Sequence, residues 1–185
     1  MDSKLQIISG EFRGRKLRLP PNARPTQNMA RIALFNMLSS LVTQPHMVWD
    51  AFAGSGAFGI ECLSRYPNAS VVFTDASATS IKTVRDNLAM LNIGARGVTL
   101  QTDAIAAIDK FGASADLIFV DPPYADADVG RAFMRRVTAV ARPGTVVIWE
   151  QDMPNATTPD TGVWEILRDK KYGRARFLIL RRRAE

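Results

Sequence analysis

Apolar residues recur along this chain in two rhythms. Between Gln27 and Val42 the positions Ala30, Ala33, Leu34, Met37, Leu38 and Leu41 follow one another at intervals of mostly three or four, which predicts one amphipathic helix docked on the main body. After His46 the pattern changes to short apolar runs: MVWDAF (47–52), SVVFTD (70–75), GVTLQTD (97–103), ADLIFVD (115–121) and GTVVIWE (144–150). Each is read as a buried strand. The segments between them, GAFGIECLSRY, SATSIKTVRDNLAMLN, AIAAIDKF and VGRAFMRRVTAVA, have helical spacing and length, and the last stops at Pro143-Gly144. Repeated alternation of strand and helix implies a parallel sheet wound on both faces.

The two ends of the chain follow a different pattern. VWEILRDKKY (163–172) and RARFLILRR (174–182) are strand-like runs joined across Gly173, which predicts an antiparallel pair closing one edge of the sheet. Asp152 to Gly162 reads as the loop before them. At the other end LQIIS and RKLRL flank Gly10 to Gly14, a hairpin or extended arm, and Pro20, Pro21 and Pro25 interrupt any regular element after it. The expected fold is α/β, doubly wound, with a mostly parallel seven-stranded sheet, an antiparallel edge pair and a small N-terminal hairpin extension.

At 185 residues the chain is sized for one core, with at most a small appendage. No run approaches the roughly 18 apolar residues that a membrane-spanning helix needs, and Met1 to Leu19 does not open with an apolar block, so neither membrane insertion nor export is expected. Cys62 and His46 are the only members of their types. They cannot form a disulfide or a tetrahedral zinc site, so a reducing cytoplasm and metal-free chemistry are expected.

The formal net charge of +6 is unevenly spread. Residues 1–31 hold seven Lys/Arg against Asp2 and Glu11, and residues 168–185 hold eight against Asp169 and Glu185, while the middle is net acidic. Two basic segments, one with Phe12 among Arg13, Arg15, Lys16 and Arg18, point to a polyanion partner. Arg24, Arg31, Lys171 and Arg174 are further candidates for phosphate contact.

In open parallel sheets ligands bind at the carboxyl ends of strands, where strand order reverses. Four successive predicted strands carry an acid there: Asp50, Asp75, Asp103 and Asp121. One such carboxylate is often a helix cap; four on one rim suggest a site. Gly54-Ser55-Gly56-Ala57-Phe58-Gly59 follows the first strand and opens a helix, matching G-x-G-x-x-G where glycines let a ligand approach the backbone. Dinucleotide enzymes use the same device, and Asp75 suits ribose hydroxyls in either class. Asp121-Pro122-Pro123-Tyr124 discriminates between them. Two prolines after a strand stiffen the turn and supply no N–H, so Asp121 and the Pro122 carbonyl become two fixed acceptors for an exocyclic NH2, and Tyr124 offers a ring on which a base can stack. That arrangement suits methylation of an amino group lying in the plane of a base, and Asp121, Pro122, Pro123 and Tyr124 are the candidate catalytic residues.

Asp50-Ala51-Phe52-Ala53-Gly54-Ser55-Gly56 resembles the D-x-F-x-G-x-G loop of S-adenosylmethionine-dependent methyltransferases. With IISGEFRGRKLRLP (7–20), RPT (24–26), ARIALFNML (30–38), DAFAGSGAFGIECLSR (50–65), DPPY and KKYG (170–173), the resemblance spans nearly the whole chain and is to the bacterial small-subunit ribosomal RNA guanine-N2 methyltransferases of the RsmD type. It implies a class I methyltransferase domain over residues 27–185 behind a basic arm, 1–26. It also implies a cytoplasmic, monomeric enzyme that moves methyl from S-adenosylmethionine to the N2 amine of a guanine in 16S ribosomal RNA, within an assembling small subunit. In that family the loop of Asp50, Phe52, Ala53, Gly54, Ser55 and Gly56 runs under the methionine end of the cofactor, Asp75 meets the ribose and Asp103 the adenine amine. The chain departs from the family at Gln27 to Ile32, where of the usual residues only Arg31 remains, and at Ser77, which replaces an acid. Three rival readings stay open at this point: an NAD-dependent oxidoreductase, a non-catalytic RNA-binding assembly factor on the same scaffold, and a DNA amino-methyltransferase.

Overall fold

The computed structural model describes residues 5–21, 23 and 28–184. Arg24 and the RPT segment therefore lie outside the described residues. Among the described residues five α-helices, α1 (Asn28–Ser39), α2 (Ala57–Arg65), α3 (Ala78–Met90), α4 (Ile108–Phe111) and α5 (Ala127–Val140), accompany seven strands: β1 (Met47–Asp50), β2 (Ser70–Asp75), β3 (Gly97–Gln101), β4 (Leu117–Val120), β5 (Val146–Asp152), β6 (Trp164–Tyr172) and β7 (Ala175–Arg182). They form one sheet in the order β3-β2-β1-β4-β5-β7-β6. The pairs from β3 through β5 are parallel, and β7 runs antiparallel to both β5 and β6. The expected doubly wound sheet and its antiparallel edge pair are both present.

Alternation along the buried strands sends neighbouring side chains to opposite faces. Val48, Phe73, Phe119 and Ile148 pack with Phe35, Leu38, Phe58 and Leu63 of α1 and α2, while Trp49, Val72, Ile118 and Val147 pack with Phe111, Phe133 and Val137 of α4 and α5. Gly59 is what allows α2 to lie so close: a Cβ there would fall 2.3 Å from the Phe73 ring.

Most observed elements are a few residues shorter or shifted at their ends relative to the predicted runs, and two of the differences have a clear physical reason. Of the run 104–111 only Ile108–Phe111 is helical, because Ala104 to Ala107 form turns in which the Ala107 N–H is shared between the carbonyls of Asp103 and Ala104. Strand β5 continues past Glu150 to Asp152, where β7 supplies partners: Gln151 is opposite Arg176 and Asp152 opposite Ala175.

The N-terminal arm is a minimal hairpin. One bridge joins Gln6 and Lys16, and Leu17 N–H and Ile7 N–H donate to the carbonyls of Leu5 and Arg15. Leu5, Ile7 and Leu17 are buried in the same apolar cluster as α1 and α2, with Phe12 packed against it. The arm is fastened by Glu61 on α2, which is 0% exposed. Its two carboxylate oxygens accept from the Ile8 and Ser9 N–H groups at 2.8 and 2.9 Å, from Arg65 at 2.7 Å and from Arg31 at 3.4 Å. At Gly10, φ is +87° and a Cβ would collide with the Ser64 carbonyl at 2.0 Å, so only glycine lets the turn close onto α2.

Candidate active site

The strand order reverses between β1 and β4, and the residues predicted for catalysis and cofactor binding lie at the carboxyl ends of these strands and their neighbours. A cavity of about 160 Å³ lies there. Asp50, Phe52 to Ser55, Asp121 and Glu150 contribute to its wall, and Phe58 and Phe119, stacked at 4.2 Å, give it an aromatic side.

Asp50 ends β1 and is 1% exposed. Its Oδ2 accepts from the Gly59 N–H at 3.0 Å, while Oδ1 is buried with no hydrogen-bond partner. Burial raises this carboxyl to about 8; the Gly59 N–H opposes the shift and Asp75 adds to it. The glycine loop turns through left-handed backbone at Gly54 and Gly56, with φ of +54° and +77°. A Cβ on Gly54 would meet no atom within 4 Å, so the backbone presents an open face there. The loop is braced by Asp75, whose Oδ2 accepts from Gly54 N–H at 2.9 Å and whose Oδ1 accepts from Ser77 N–H at 2.8 Å. Asp75 and Asp103 stand outside the cavity on the open rim of β2 and β3. Asp103 Oδ1 accepts from Ala106 N–H at 2.9 Å.

Asp121 follows β4, and Glu150 lies one strand over, next to Trp149, the register partner of Val120. The two carboxyls are thus neighbours at the rim. Burial pushes Asp121 well above the usual carboxylate range, and Glu150 and then Asp50 push in the same direction. Burial also raises Glu150, opposed by a hydrogen bond from Tyr124, whose hydroxyl donates to Oε1 at 2.9 Å. The phenol itself is pushed well above its ordinary value, by burial and then by Glu150, so it keeps its proton at any working pH. The turn is stiffened from behind by α5: at Gly130 a Cβ would lie 3.0 Å from Pro122 and from the Trp149 indole nitrogen. The Pro123 carbonyl accepts from Asp126 N–H.

The three carboxyls share this cavity with aromatic surface, the open backbone of the glycine loop and the Arg31 side chain. The model of the family described as conserved hypothetical protein 95 matches residues 5–181. This chain belongs to that family. Ribosomal RNA small subunit methyltransferase D of Escherichia coli K12 is 29% identical over 190 residues, covering 98% of this chain and 92% of that protein. The protein of the same name from Buchnera aphidicola of Acyrthosiphon pisum is 38% identical over 126 residues, 66% of this chain and 64% of its own. The solved structure of yhhF from Escherichia coli superposes with a TM-score of 0.83 at 28% identity, covering 97% of this chain and 98% of that one. The resemblance read from the sequence motifs and the membership of this family agree.

The basic residues divide in three. Arg13, Arg15, Lys16 and Arg18 are exposed along the hairpin, as is Lys171 on β6. Arg18 approaches Asp86 at 3.5 Å, and Arg174 makes a two-pronged ion pair with Asp152 at 3.0 and 2.8 Å while its side chain stays open to solvent. Arg31 corrects the expectation of a phosphate contact. It is 5% exposed, its guanidinium directed to Glu61 and the Gln6 carbonyl, so it fastens the arm. Glu150 is a site residue that the sequence motifs do not single out, although the fifth apolar run also ends in an acid. Asn87, buried on α3, is another; its amide accepts from Arg18 N–H and donates to the carbonyls of Arg18 and Ser55, tying arm to glycine loop.

Proposed function

We propose that this protein is a methyltransferase acting on the exocyclic N2 amine of a guanine in small-subunit ribosomal RNA, with S-adenosylmethionine as methyl donor. The observation that carries this reading is the wall formed by Asp50, Asp121 and Glu150, three carboxyls on one cavity beside a rigid DPPY turn. A sulfonium is cationic and draws these raised carboxyls toward their ionised form, whereas a pyrophosphate gains nothing from them, which weighs against a dinucleotide. The relatives named as ribosomal RNA small subunit methyltransferases supply the class of RNA.

The residues fit the cofactor. The buried, unpartnered Oδ1 of Asp50 is an acceptor for its amino group, the open face at Gly54 admits its methionine end, and Asp75 keeps lone pairs for ribose hydroxyls after bracing the loop. Asp103 is assigned to the adenine amine. When bound, the cofactor supplies a methyl group already activated on sulfur. The protein's task is then alignment, which can supply roughly 7–11 kcal/mol of the barrier. Asp121 and the Pro122 carbonyl each accept one N–H of the guanine amine, which localises its lone pair and receives positive charge as it develops. A cation in the cavity favours ionised Asp121, and the carboxylate, raised by burial, can take the amine proton or pass it to water. Tyr124 stacks on the base, which must leave its own stack to reach the turn. Arg13, Arg15, Lys16 and Arg18, with Lys171 and Arg174, are assigned to phosphates; Arg24 joins them on its sequence position alone.

The test is incubation with labelled S-adenosylmethionine and, in parallel, naked 16S RNA, immature small subunits or duplex DNA, followed by nucleoside analysis. N2-methylguanosine in the ribosomal RNA is the expected product. Label confined to DNA, or any other methylated nucleoside, would overturn the assignment.

A further inference from the structure

Glu150 is 5% exposed, yet only one of its carboxylate oxygens is used. Oε1 takes the Tyr124 hydroxyl, and Oε2 is buried without a hydrogen-bond partner. The residue lines the rim cavity and also a small pocket of about 20 Å³ whose wall includes Pro122, Pro123 and Tyr124. It therefore sits between the acceptor turn and the rest of the site, beside Asp121 on the next strand.

An unsatisfied buried carboxylate oxygen destabilises a fold and is retained where a ligand completes it. The donors a purine could bring are few. A guanine whose amine is held by Asp121 and the Pro122 carbonyl carries an N1–H beside that amine on the same edge. Adenine and 2-aminopurine have a lone pair at N1 instead. We propose that Glu150 is the base-reading residue of this enzyme: its Oε2 accepts the N1–H of the target guanine, while its Oε1 fixes the Tyr124 ring over that base.

The inference rests on the guanine-N2 reading and adds to it a basis for choice of base. A carboxylate facing N1–H welcomes guanine and meets the N1 lone pair of 2-aminopurine with repulsion, although 2-aminopurine carries the same 2-amino group. Sites that hydrogen-bond a substrate donor reject analogues lacking it far more strongly than apolar pockets reject size changes.

The experiment uses reconstituted small subunits in which the guanine mapped by wild-type methylation is replaced by 2-aminopurine through ligated RNA. Wild-type enzyme is expected to methylate guanine about 10⁴-fold faster than 2-aminopurine. In Glu150→Gln, whose amide can donate to N1, that preference should fall at least about tenfold when both substrates are compared at saturating S-adenosylmethionine. Tyr124→Phe should slow both substrates and leave their ratio alone. Equal rates on the two bases with wild-type enzyme, or an unaltered ratio in Glu150→Gln, would overturn the inference. A wild-type product other than N2-methylguanosine would overturn the underlying reading instead, so the two failures are distinguishable.

Discussion

Two groups of acids in this fold are treated in opposite ways. Glu61, on α2, is saturated: two backbone N–H groups and two arginines converge on it. Asp50, Asp121 and Glu150 line the rim cavity, and Asp50 and Glu150 each retain a buried oxygen without a partner. Burial alone therefore does not distinguish structure from chemistry. A saturated carboxylate holds pieces of chain together, and an unsaturated one keeps acceptor capacity for something outside the chain.

The largest effect is expected at Glu61. Glu61→Ala strands two N–H groups and Arg31 in a buried setting and is expected to lower unfolding free energy by about 3–5 kcal/mol in urea titrations. The arm should loosen with it, seen as faster hydrogen exchange at Ile8 and Ser9. A loss below about 1 kcal/mol would mean the hub is ornamental to the fold and would erase its difference from the rim acids.

Asp75 lies between the two groups, since it braces the loop and faces the open rim. Asp75→Ala should weaken S-adenosylmethionine binding by about 1.5–3 kcal/mol, and Asp103→Ala by less, because water can partly replace its hydrogen bond. Unchanged calorimetric affinity in both variants would put the cofactor elsewhere.

At Asp50 the contrast with Glu61 extends to pH. Its folded carboxyl, raised to about 8, holds its proton after the unfolded chain has ionised near about 3.9. The folded state thus binds more protons across that window, and stability falls as pH rises from about 4 to 8. Asp50→Asn removes this loss and should gain about 1–3 kcal/mol on wild type between pH 5 and pH 8 in urea titrations. A parallel pair of profiles would show the carboxyl to be satisfied in the folded state.

The smallest effect is expected at the surface. Removing Arg13 and Arg15 together should reduce the slope of log RNA affinity against log salt by about 0.7–0.9 for each phosphate no longer gripped, without altering the base chosen. An identical slope in filter binding would assign the RNA to another face.

Much of the fold and site is legible in the sequence because the relevant signals are local. Buried parallel strands appear as short apolar runs, and DPPY and the glycine loop each carry their chemistry within a few residues. The extents of α4 and β5 are less so, since turn geometry sets the first and pairing with β7 the second. Arg31 misleads because its partner Glu61 is 30 residues away and a basic residue in a basic segment looks like a phosphate ligand. Glu150 carries the same strand-end acid signal as the four aspartates. Its role depends on Tyr124 and Asp121 standing beside it, which only the register of β4 and β5 creates.

If the under-partnered acids serve the reaction and not the fold, Asp121→Asn reveals both sides in one variant. Single-turnover methyl transfer to immature small subunits, paired with a urea titration of the same preparation, is expected to show a rate loss of about 10²–10³-fold with stability equal to or above wild type. Retained transfer together with lost stability would refute the division between the two groups, because Asp121 would then belong with Glu61.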